Sequence, residues 1–202
     1  TFVPDGEPTL DLNLGKEIEQ LKKPGIPIAV ITNASLIGDY QVREALMKAD
    51  WVSLKVDSVD ETVWRRVNRP HKKLKLTTIL EGALEFASAF QGKLTSETML
   101  VTGVNDGSEH IGEVAKFLSH LHPAAAYLAI PTRPPAVKWA QPPDEIIINR
   151  AYQIFTEKLD HVEYLVGFEG NTFSYTGDVK EDLLNITAVH PMREEIGRAS
   201  CR

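Results

Sequence analysis

Several short apolar runs of the sequence are followed by polar residues or a glycine. Residues of these types often bind ligands. Gly6 and Glu7 stand in such a segment. The glycine permits a close backbone approach to a ligand, and the glutamate can pair with an ammonium group. Lys55 and Asp57 are two residues apart, so on a strand they point the same way and could pair with each other or bracket a polar ligand. An exposed turn and a surface salt bridge are the ordinary explanations of these residues.

A basic stretch runs against the overall charge of the chain. The 202 residues carry 22 Lys+Arg and 28 Asp+Glu, a formal net charge of -6. Residues 65–75 nevertheless hold no acid, and beside His71 they contain Arg65, Arg66, Arg69, Lys72, Lys73 and Lys75. Such a stretch could hold a phosphate or a carboxylate, and a solvated charged loop is the common alternative.

Several classes of protein are excluded or disfavoured by missing motifs. The sequence has no Walker loop, no Gly-x-Gly-x-x-Gly turn and no nucleophile-elbow serine. Its histidines lack the spacing of a helical zinc site, so we assign no metal to them. Cys201 is the single cysteine, which rules out an internal disulfide and an all-cysteine metal site built by this chain alone. No apolar run approaches the length of about 20 residues that spans a bilayer, so we expect no membrane partner and a cytoplasmic location.

The elements that must position these residues alternate between strands and helices, which predicts an α/β fold with a parallel sheet. Phe2 and Val3 look like the end of a strand, and five further strands are predicted at 28–32, 51–56, 93–101, 124–130 and 162–165. Such units form either an open doubly wound sheet or an arc of a barrel, and both bind ligands at the C-terminal ends of their strands.

Helices are predicted between the strands from apolar periodicity and from capping residues. We expect Asp11 to cap a helix that buries Leu14, Ile18 and Leu21 on one face. Further helices are predicted to start at Asp39, Asp60 and Asp144, to cover 76–90 with a buried stripe, and to bury Ile111, Val114, Ala115 and Leu118. Five prolines between 131 and 143 predict a long loop.

Taken together, the segments 1–10, 31–33, 52–57, 97–101, 103–106 and 127–135 resemble the radical S-adenosylmethionine (SAM) superfamily, within it the activating-enzyme-like, iron–sulfur oxidoreductase branch. The resemblance covers about residues 1–135. It implies a partial (β/α)6 TIM-like barrel whose first strand unit is missing from this chain. We expect 1–175 to be the radical SAM core and 176–202 to begin a truncated C-terminal extension or tail.

The family resemblance also implies a function. Such an enzyme cleaves SAM reductively with a [4Fe-4S] cluster and makes a 5′-deoxyadenosyl radical that abstracts hydrogen from a substrate, here a small molecule, a protein or an RNA. The cluster sits on a CxxxCxxC loop that is absent from these residues, and Cys201 cannot replace it. We therefore expect the chain to be a fragment of a longer enzyme.

By resemblance, ten residues are expected to bind SAM. Gly6, Glu7 and Pro8 match a Gly-Gly-Glu-Pro motif that receives the methionine amino group, with Asp5 in place of its first glycine. The others are Asn33 after the next strand, Lys55 and Asp57 near the ribose or carboxylate, Thr102 and Val104 beside the adenosyl group, and Ile130 and Pro131 against the adenine.

Two other functions stay open at this point. A binding domain without catalysis would keep the barrel arc and hold an adenosyl ligand or a protein partner. A phosphate-handling barrel enzyme would use the basic stretch around His71, although the sequence has no Gly-rich phosphate loop.

Overall fold

The structure is a computed structural model that describes residues 1–3, 6–132, 135 and 137–165. Within these residues lies a parallel five-stranded sheet whose strands are β1 (Ala29–Thr32), β2 (Trp51–Lys55), β3 (Lys93–Met99), β4 (Ala125–Ala129) and β5 (Val162–Leu165). The helices are α1 (Leu14–Lys22), α2 (Tyr40–Leu46), α3 (Glu61–Asn68), α4 (Leu76–Ala89), α5 (Ser108–Leu121) and α6 (Glu145–Thr156). A single 3-10 turn, Pro8–Leu10, precedes α1.

The strand order decides between the two architectures that the sequence leaves open. Neighbouring strands follow the order β1-β2-β3-β4-β5, the same as along the chain. A doubly wound sheet reverses direction at a switch point, whereas a barrel adds each strand on the same side of the last. Phe2 continues the series, since it pairs in parallel with Val30 and its N–H donates to the Ala29 carbonyl at 2.8 Å. The predicted α/β fold with a partial barrel sheet is therefore confirmed, as is the strand end at Phe2.

The two faces of the sheet have different surroundings. One face carries apolar side chains, among them Val52, Leu54 and Leu128, that pack in a single core with residues of the helices such as Phe86 and Phe155. On the opposite face, a polar row crosses the sheet in register at the level of Lys55, Glu97, Tyr127 and Glu163. Successive side chains of a strand point to opposite faces, so the helices cover the apolar face and leave the polar one free.

Several predicted helix starts are confirmed by their capping hydrogen bonds. The carboxylates of Asp39, Asp60 and Asp144 accept from backbone N–H groups in the first turns of α2, α3 and α6, at 2.8 Å, 2.8 Å and 2.9 Å. An acceptor at this position satisfies a backbone donor that has no partner inside the helix.

The start of α1 differs from the prediction. Its N-cap is Asn13, and Asp11 instead ends the preceding 3-10 turn and accepts the Asn13 N–H. Leu14 and Ile18 are buried as expected, but Leu21 is 52% exposed. The helix begins later because Pro8 has already started a separate turn, and Leu21, in the last turn of α1, does not join the core.

The remaining predictions have mixed outcomes. The α5 residues Ile111, Val114, Ala115 and Leu118 are buried, and so are Leu76, Ile79 and Ala83 of the α4 stripe, whereas Leu84 is 36% exposed. The described residues of 131–143 form no helix or strand, as the prolines predict. No helix in the described ranges is long and apolar enough to cross a membrane. The predicted division at 175 lies outside the described residues.

Candidate functional site

The carboxylate of Glu7, which follows the strand segment at Phe2, is fixed by hydrogen bonds. Its Oε1 accepts from the Thr9 backbone N–H at 3.2 Å, from the Thr9 hydroxyl at 2.8 Å and from the Thr32 hydroxyl. Its Oε2 accepts from the Asn33 N–H at 2.7 Å. Glu7 and Asn33, both predicted site residues, are thus in direct contact. Oε1 has three donors and Oε2 has one, so Oε2 keeps a lone pair for a ligand donor.

Gly6 and Pro8 flank this carboxylate. Pro8 opens the 3-10 turn that returns Thr9 to Glu7. A Cβ built on Gly6 would meet no atom of the described residues within 4 Å, and Gly6 is not among the described glycines with a left-handed backbone. Both residues line a cavity of about 680 Å³ together with Phe2 and Leu10. Neither packing nor backbone conformation requires a glycine at position 6, which leaves room for another group at its Cα.

Lys55 and Asp57 pair with each other at the end of β2. The Lys55 ammonium lies 3.3 Å from Asp57 Oδ1 and donates to Glu97 Oε1 at 3.0 Å. This is not a surface salt bridge, because the Asp57 side chain is fully buried. Burial alone would lower the pKa of Lys55, but the charges of Asp57 and Glu97 outweigh it and hold that pKa above its usual value. Lys55 therefore stays protonated at neutral pH.

Asp57 also joins the ends of β2 and β3 to helix α3. Its Oδ1 accepts from the Met99 N–H at 2.7 Å, and its Oδ2 accepts from the Asn68 side-chain amide at 2.7 Å. The buried Asn105 ties the same strand ends together, since its amide donates to the carbonyls of Asp57 and Met99 and its Oδ1 accepts the Val101 N–H. The arrangement is rigid because each buried charge and amide has bonded partners.

The other four predicted residues lie in the loops after β3 and β4. The Thr102 N–H donates to the Gln141 carbonyl at 2.9 Å, and the Leu100 N–H donates to the Ala129 carbonyl at 2.8 Å, so these loops start side by side. Val104, Ile130 and Pro131 are half-buried and Thr102 is exposed. They present apolar surface at the same edge of the sheet as Lys55.

A cleft of about 480 Å³ brings two separate sequence signals together. Its lining residues include Glu7 and Asn33 together with Asn68, Arg69 and His71. This volume is within the range of about 300 to 1,000 Å³ that small-ligand sites occupy. The basic stretch thus meets the Gly6–Glu7 segment, whereas Lys55, Asp57, Thr102, Val104, Ile130 and Pro131 line neither this cleft nor the cavity at Gly6.

Sequence reasoning missed four residues that shape the site: Thr32, Asn68, Glu97 and Asn105. Glu97 had a usable signal, because it is an acid within a predicted strand, and the register of the sheet places it beside Lys55. No sequence signal pointed to Asn68, since it reaches Asp57 from helix α3.

Comparison with known proteins identifies the family. The Radical SAM superfamily model matches residues 1–118. The chain belongs to the radical SAM superfamily. It is also 48% identical over 198 residues to a UPF0026 protein of Methanocaldococcus jannaschii, a match that covers 97% of this chain and 62% of that protein. A UPF0026 protein of Helicobacter pylori is 34% identical over 140 residues, which cover 68% of this chain and 45% of that protein. The chain thus spans less than two thirds of the length of these relatives.

Solved structures of the superfamily share the fold. A domain of a pyruvate-formate lyase-activating enzyme from Bacteroides vulgatus superposes with a TM-score of 0.66 at 24% identity, covering 81% of this chain and 96% of that one. A structure of TYW1 with a lysine-pyruvate adduct bound superposes with a TM-score of 0.61 at 20% identity, covering 76% of this chain and 48% of that one. These likenesses agree with the arc of parallel strands described above.

The family implies SAM and a [4Fe-4S] cluster, and the residues fit the two differently. For SAM they fit, because Glu7 offers an acceptor to an ammonium group, Gly6 leaves open space and Lys55 offers a donor. For the cluster they do not fit. The 202 residues contain one cysteine, and the described ranges contain no group of three or more His, Cys, Asp or Glu residues that could hold a metal ion.

Proposed function

We propose that this chain is the SAM-binding core of a radical SAM enzyme of the activating-enzyme-like branch, in which reductive cleavage of SAM starts hydrogen abstraction from a substrate. The family's [4Fe-4S] cluster supplies the electron when it is bound, and these residues do not provide its cysteines. The proposal includes the cytoplasmic location that the sequence predicts.

The proposal rests on the carboxylate of Glu7, which hydrogen bonds hold in place. Four donors fix it before any ligand binds, and Oε2 keeps a lone pair beside Asn33. A preorganised carboxylate binds an ammonium group without first having to order its own side chain. The SAM methionine group carries such an ammonium, and the open space at Gly6 lets it approach the backbone.

Lys55 would serve the ribose or the carboxylate of SAM. Its ammonium has three donors, and Asp57 and Glu97 take two of them. The third is available to a ligand oxygen, and the two fixed acids orient it. Asp57 would act by positioning Lys55, because its own oxygens are taken by Met99, Asn68 and Lys55.

The adenosyl end would bind to the loops after β3 and β4. The half-buried side chains of Val104, Ile130 and Pro131 offer the apolar surface that an aromatic base prefers. Thr102 lies on the same loop as Val104 and is held by its bond to Gln141.

The test is SAM binding by isothermal titration calorimetry with the full chain and the Gly6→Ala variant. Nothing within 4 Å of Gly6 opposes the added methyl group, so the fold is expected to be unchanged. The SAM affinity should fall about tenfold, the equivalent of one lost close contact of about 1.4 kcal/mol. Gly112→Ala is the matched control, since its added methyl group also finds room and lies on α5.

A second variant examines the carboxylate itself. In Glu7→Gln the ammonium loses a charged acceptor. The new NH2 group also faces a backbone donor in either orientation, the Asn33 N–H at the Oε2 position or the Thr9 N–H at the Oε1 position, so we expect a loss of SAM affinity of at least tenfold. The proposal fails if the unaltered chain does not bind SAM, or if Gly6→Ala binds SAM as tightly as Gly112→Ala does.

Catalysis requires a polypeptide that also contains the CxxxCxxC loop. Formation of 5′-deoxyadenosine from SAM under reducing, anaerobic conditions is the expected result for such a protein. SAM binding without that product would instead favour the non-catalytic adenosyl-binding domain.

A further inference from the structure

We propose that Arg69 and His71 form an oxyanion site in the 480 Å³ cleft that Glu7 also lines. The oxyanion is a carboxylate or a phosphate, and its two possible sources are SAM itself and the substrate. The inference rests on the proposed function in one respect, namely that Glu7 holds the ammonium of SAM.

Arg69 differs from the two other arginines of the basic stretch. Arg65 bonds Glu61 at 2.6 Å and the Leu74 carbonyl at 2.8 Å. Arg66 lies over the ring of Trp139, 5.3 Å from its centroid. Arg69 lines the cleft and has no hydrogen bond or ion pair within the described part of the chain. Within the described residues no acceptor takes any of the five donors of its guanidinium, whose fork geometry matches carboxylate and phosphate.

The backbone at Arg69 is strained in a way that supports a role for its side chain. The residue ends α3 in the left-handed conformation, with φ 47° and ψ 51°. A side chain with a Cβ costs about 1 kcal/mol there, and glycine is the residue that helices usually place at such an end. Strained residues of this kind cluster at ligand sites.

His71 adds a second donor on the same wall. Its Nδ1 accepts the Lys73 N–H at 3.4 Å, so a neutral ring carries its proton on Nε2. That N–H is then available to an acceptor in the cleft. No acidic residue occurs between positions 65 and 75, so the stretch that contains this pair has a net positive charge.

Asn68 also lines the cleft and has an acceptor without a donor. Its amide nitrogen is committed to Asp57 Oδ2, which fixes the orientation of the amide. Its Oδ1 is buried and has no hydrogen-bond partner in the described residues. A buried acceptor without a donor is unfavourable by about 1 to 3 kcal/mol, so a ligand donor that reached Oδ1 would stabilise this part of the cleft.

The lining of the cleft therefore combines an acceptor, Glu7, with a donor, Arg69. A zwitterionic amino acid group carries the complementary pair of charges, and so does SAM together with an anionic substrate. The volume favours a small molecule over a nucleic acid, which would bind the whole exposed basic stretch.

The experiment compares Arg69→Gln with Lys72→Gln in the full chain. Both variants lose one positive charge from the same loop, but Lys72 does not line the cleft. Binding of SAM, of decarboxylated SAM and of inorganic phosphate is measured for each at constant ionic strength. His71→Gln is a second cleft variant, with a smaller loss expected.

Two results would support the site and would name its source. If Arg69→Gln lowers SAM affinity about tenfold and leaves decarboxylated SAM unaffected, the oxyanion is the SAM carboxylate. If it leaves both SAM compounds unaffected and lowers phosphate affinity about tenfold, the oxyanion belongs to the substrate.

The inference is overturned if Arg69→Gln and Lys72→Gln have the same affinities in all three titrations. If both variants lose affinity to the same extent, the basic stretch is a diffuse surface suited to nucleic acid. The phosphate titration separates this failure from that of the proposed function. A chain that binds phosphate through Arg69 but does not bind SAM would retain the oxyanion site and lose the SAM-binding role.

Discussion

Removal of the Asp57 carboxylate is expected to destabilise the fold strongly. In Asp57→Ala, the Met99 N–H and the Asn68 amide lose a charged acceptor at 2.7 Å, and Lys55 loses one of its two acids. A hydrogen bond to a charged group contributes about 1.5 to 3 kcal/mol, and Lys55 keeps Glu97. We therefore expect the free energy of unfolding to fall by about 4 kcal/mol, near the upper end for single substitutions.

Asp57→Asn should have a smaller effect for a specific geometric reason. The amide oxygen can take the place of Oδ1, which faces Met99 and Lys55, and the NH2 group then faces Asn68. If the Asn68 amide turns over, its unpartnered Oδ1 accepts from that NH2 group. All hydrogen bonds survive but the charge is lost, so we expect a loss of about 2 kcal/mol.

The assay is urea denaturation at neutral pH, with Asp160→Ala and Asp160→Asn as controls. Asp160 is exposed and has no bonded partner in the described part of the chain, so its variants should change stability by less than about 0.5 kcal/mol. If Asp57→Ala lies within about 1 kcal/mol of Asp160→Ala, the network described here does not hold the strand ends together.

The same network makes a prediction for alkaline pH. The pKa of Lys55 is raised in the folded protein, since the charges of Asp57 and Glu97 outweigh the effect of burial. The stability that this interaction adds is fully present below the pKa of lysine in the unfolded chain, about 10.4. It is lost as the pH rises through the higher pKa that Lys55 has in the folded protein. In the Asp57 variants this alkaline loss should be smaller, because their Lys55 has less attraction to lose.

Two further perturbations test the fold away from the site. A Cβ on Gly82 would lie 2.6 Å from the Ile37 carbonyl oxygen, so Gly82→Ala should lower the free energy of unfolding by about 3 kcal/mol, whereas Gly112→Ala, with its nearest atom at 4.0 Å, should not lower it. The hydrogen bond from Lys22 holds the pKa of Asp50 below its usual value, so the stability it adds is present above about pH 4 and is lost in acid. Urea midpoints should accordingly differ between Asp50→Asn and the unaltered protein at neutral pH and converge at low pH.

The sequence predicted the strands and most helices because their signals are local. The capping carboxylates of Asp39, Asp60 and Asp144 stand next to the N–H groups they bind, and each strand end is followed by turn-forming or polar residues. The start of α1 was wrong because two caps compete within a few residues. Asp11 had to be assigned either to the 3-10 turn or to the helix, and the turn opened by Pro8 took it.

The choice between a doubly wound sheet and a barrel arc could not be made from periodicity. Both folds repeat the same strand-helix unit, and they differ only in the side on which each new strand pairs. That side depends on how the helices pack, which a single strand or helix does not encode. The motifs that the sequence shares with the radical SAM superfamily favoured the barrel arc, and the strand order agrees with them.

By itself, the sequence determined which chemical groups are available and that they follow strands. It named Glu7, Lys55 and Asp57 from residue type and spacing, and Asn33 through the resemblance to the radical SAM superfamily. It could not say which of them touch, since the periodicity of a strand or helix reaches only a few residues along the chain.

Only the tertiary structure decided the partners. Thr32 reaches Glu7 across 25 positions of sequence, and Asn105 reaches the Asp57 carbonyl across 48. Such contacts exist because parallel pairing brings the C-terminal ends of distant strands to one edge of the sheet. The tertiary structure also places part of the basic stretch, which reads as a solvated surface loop, in the lining of the same cleft as the Glu7 carboxylate.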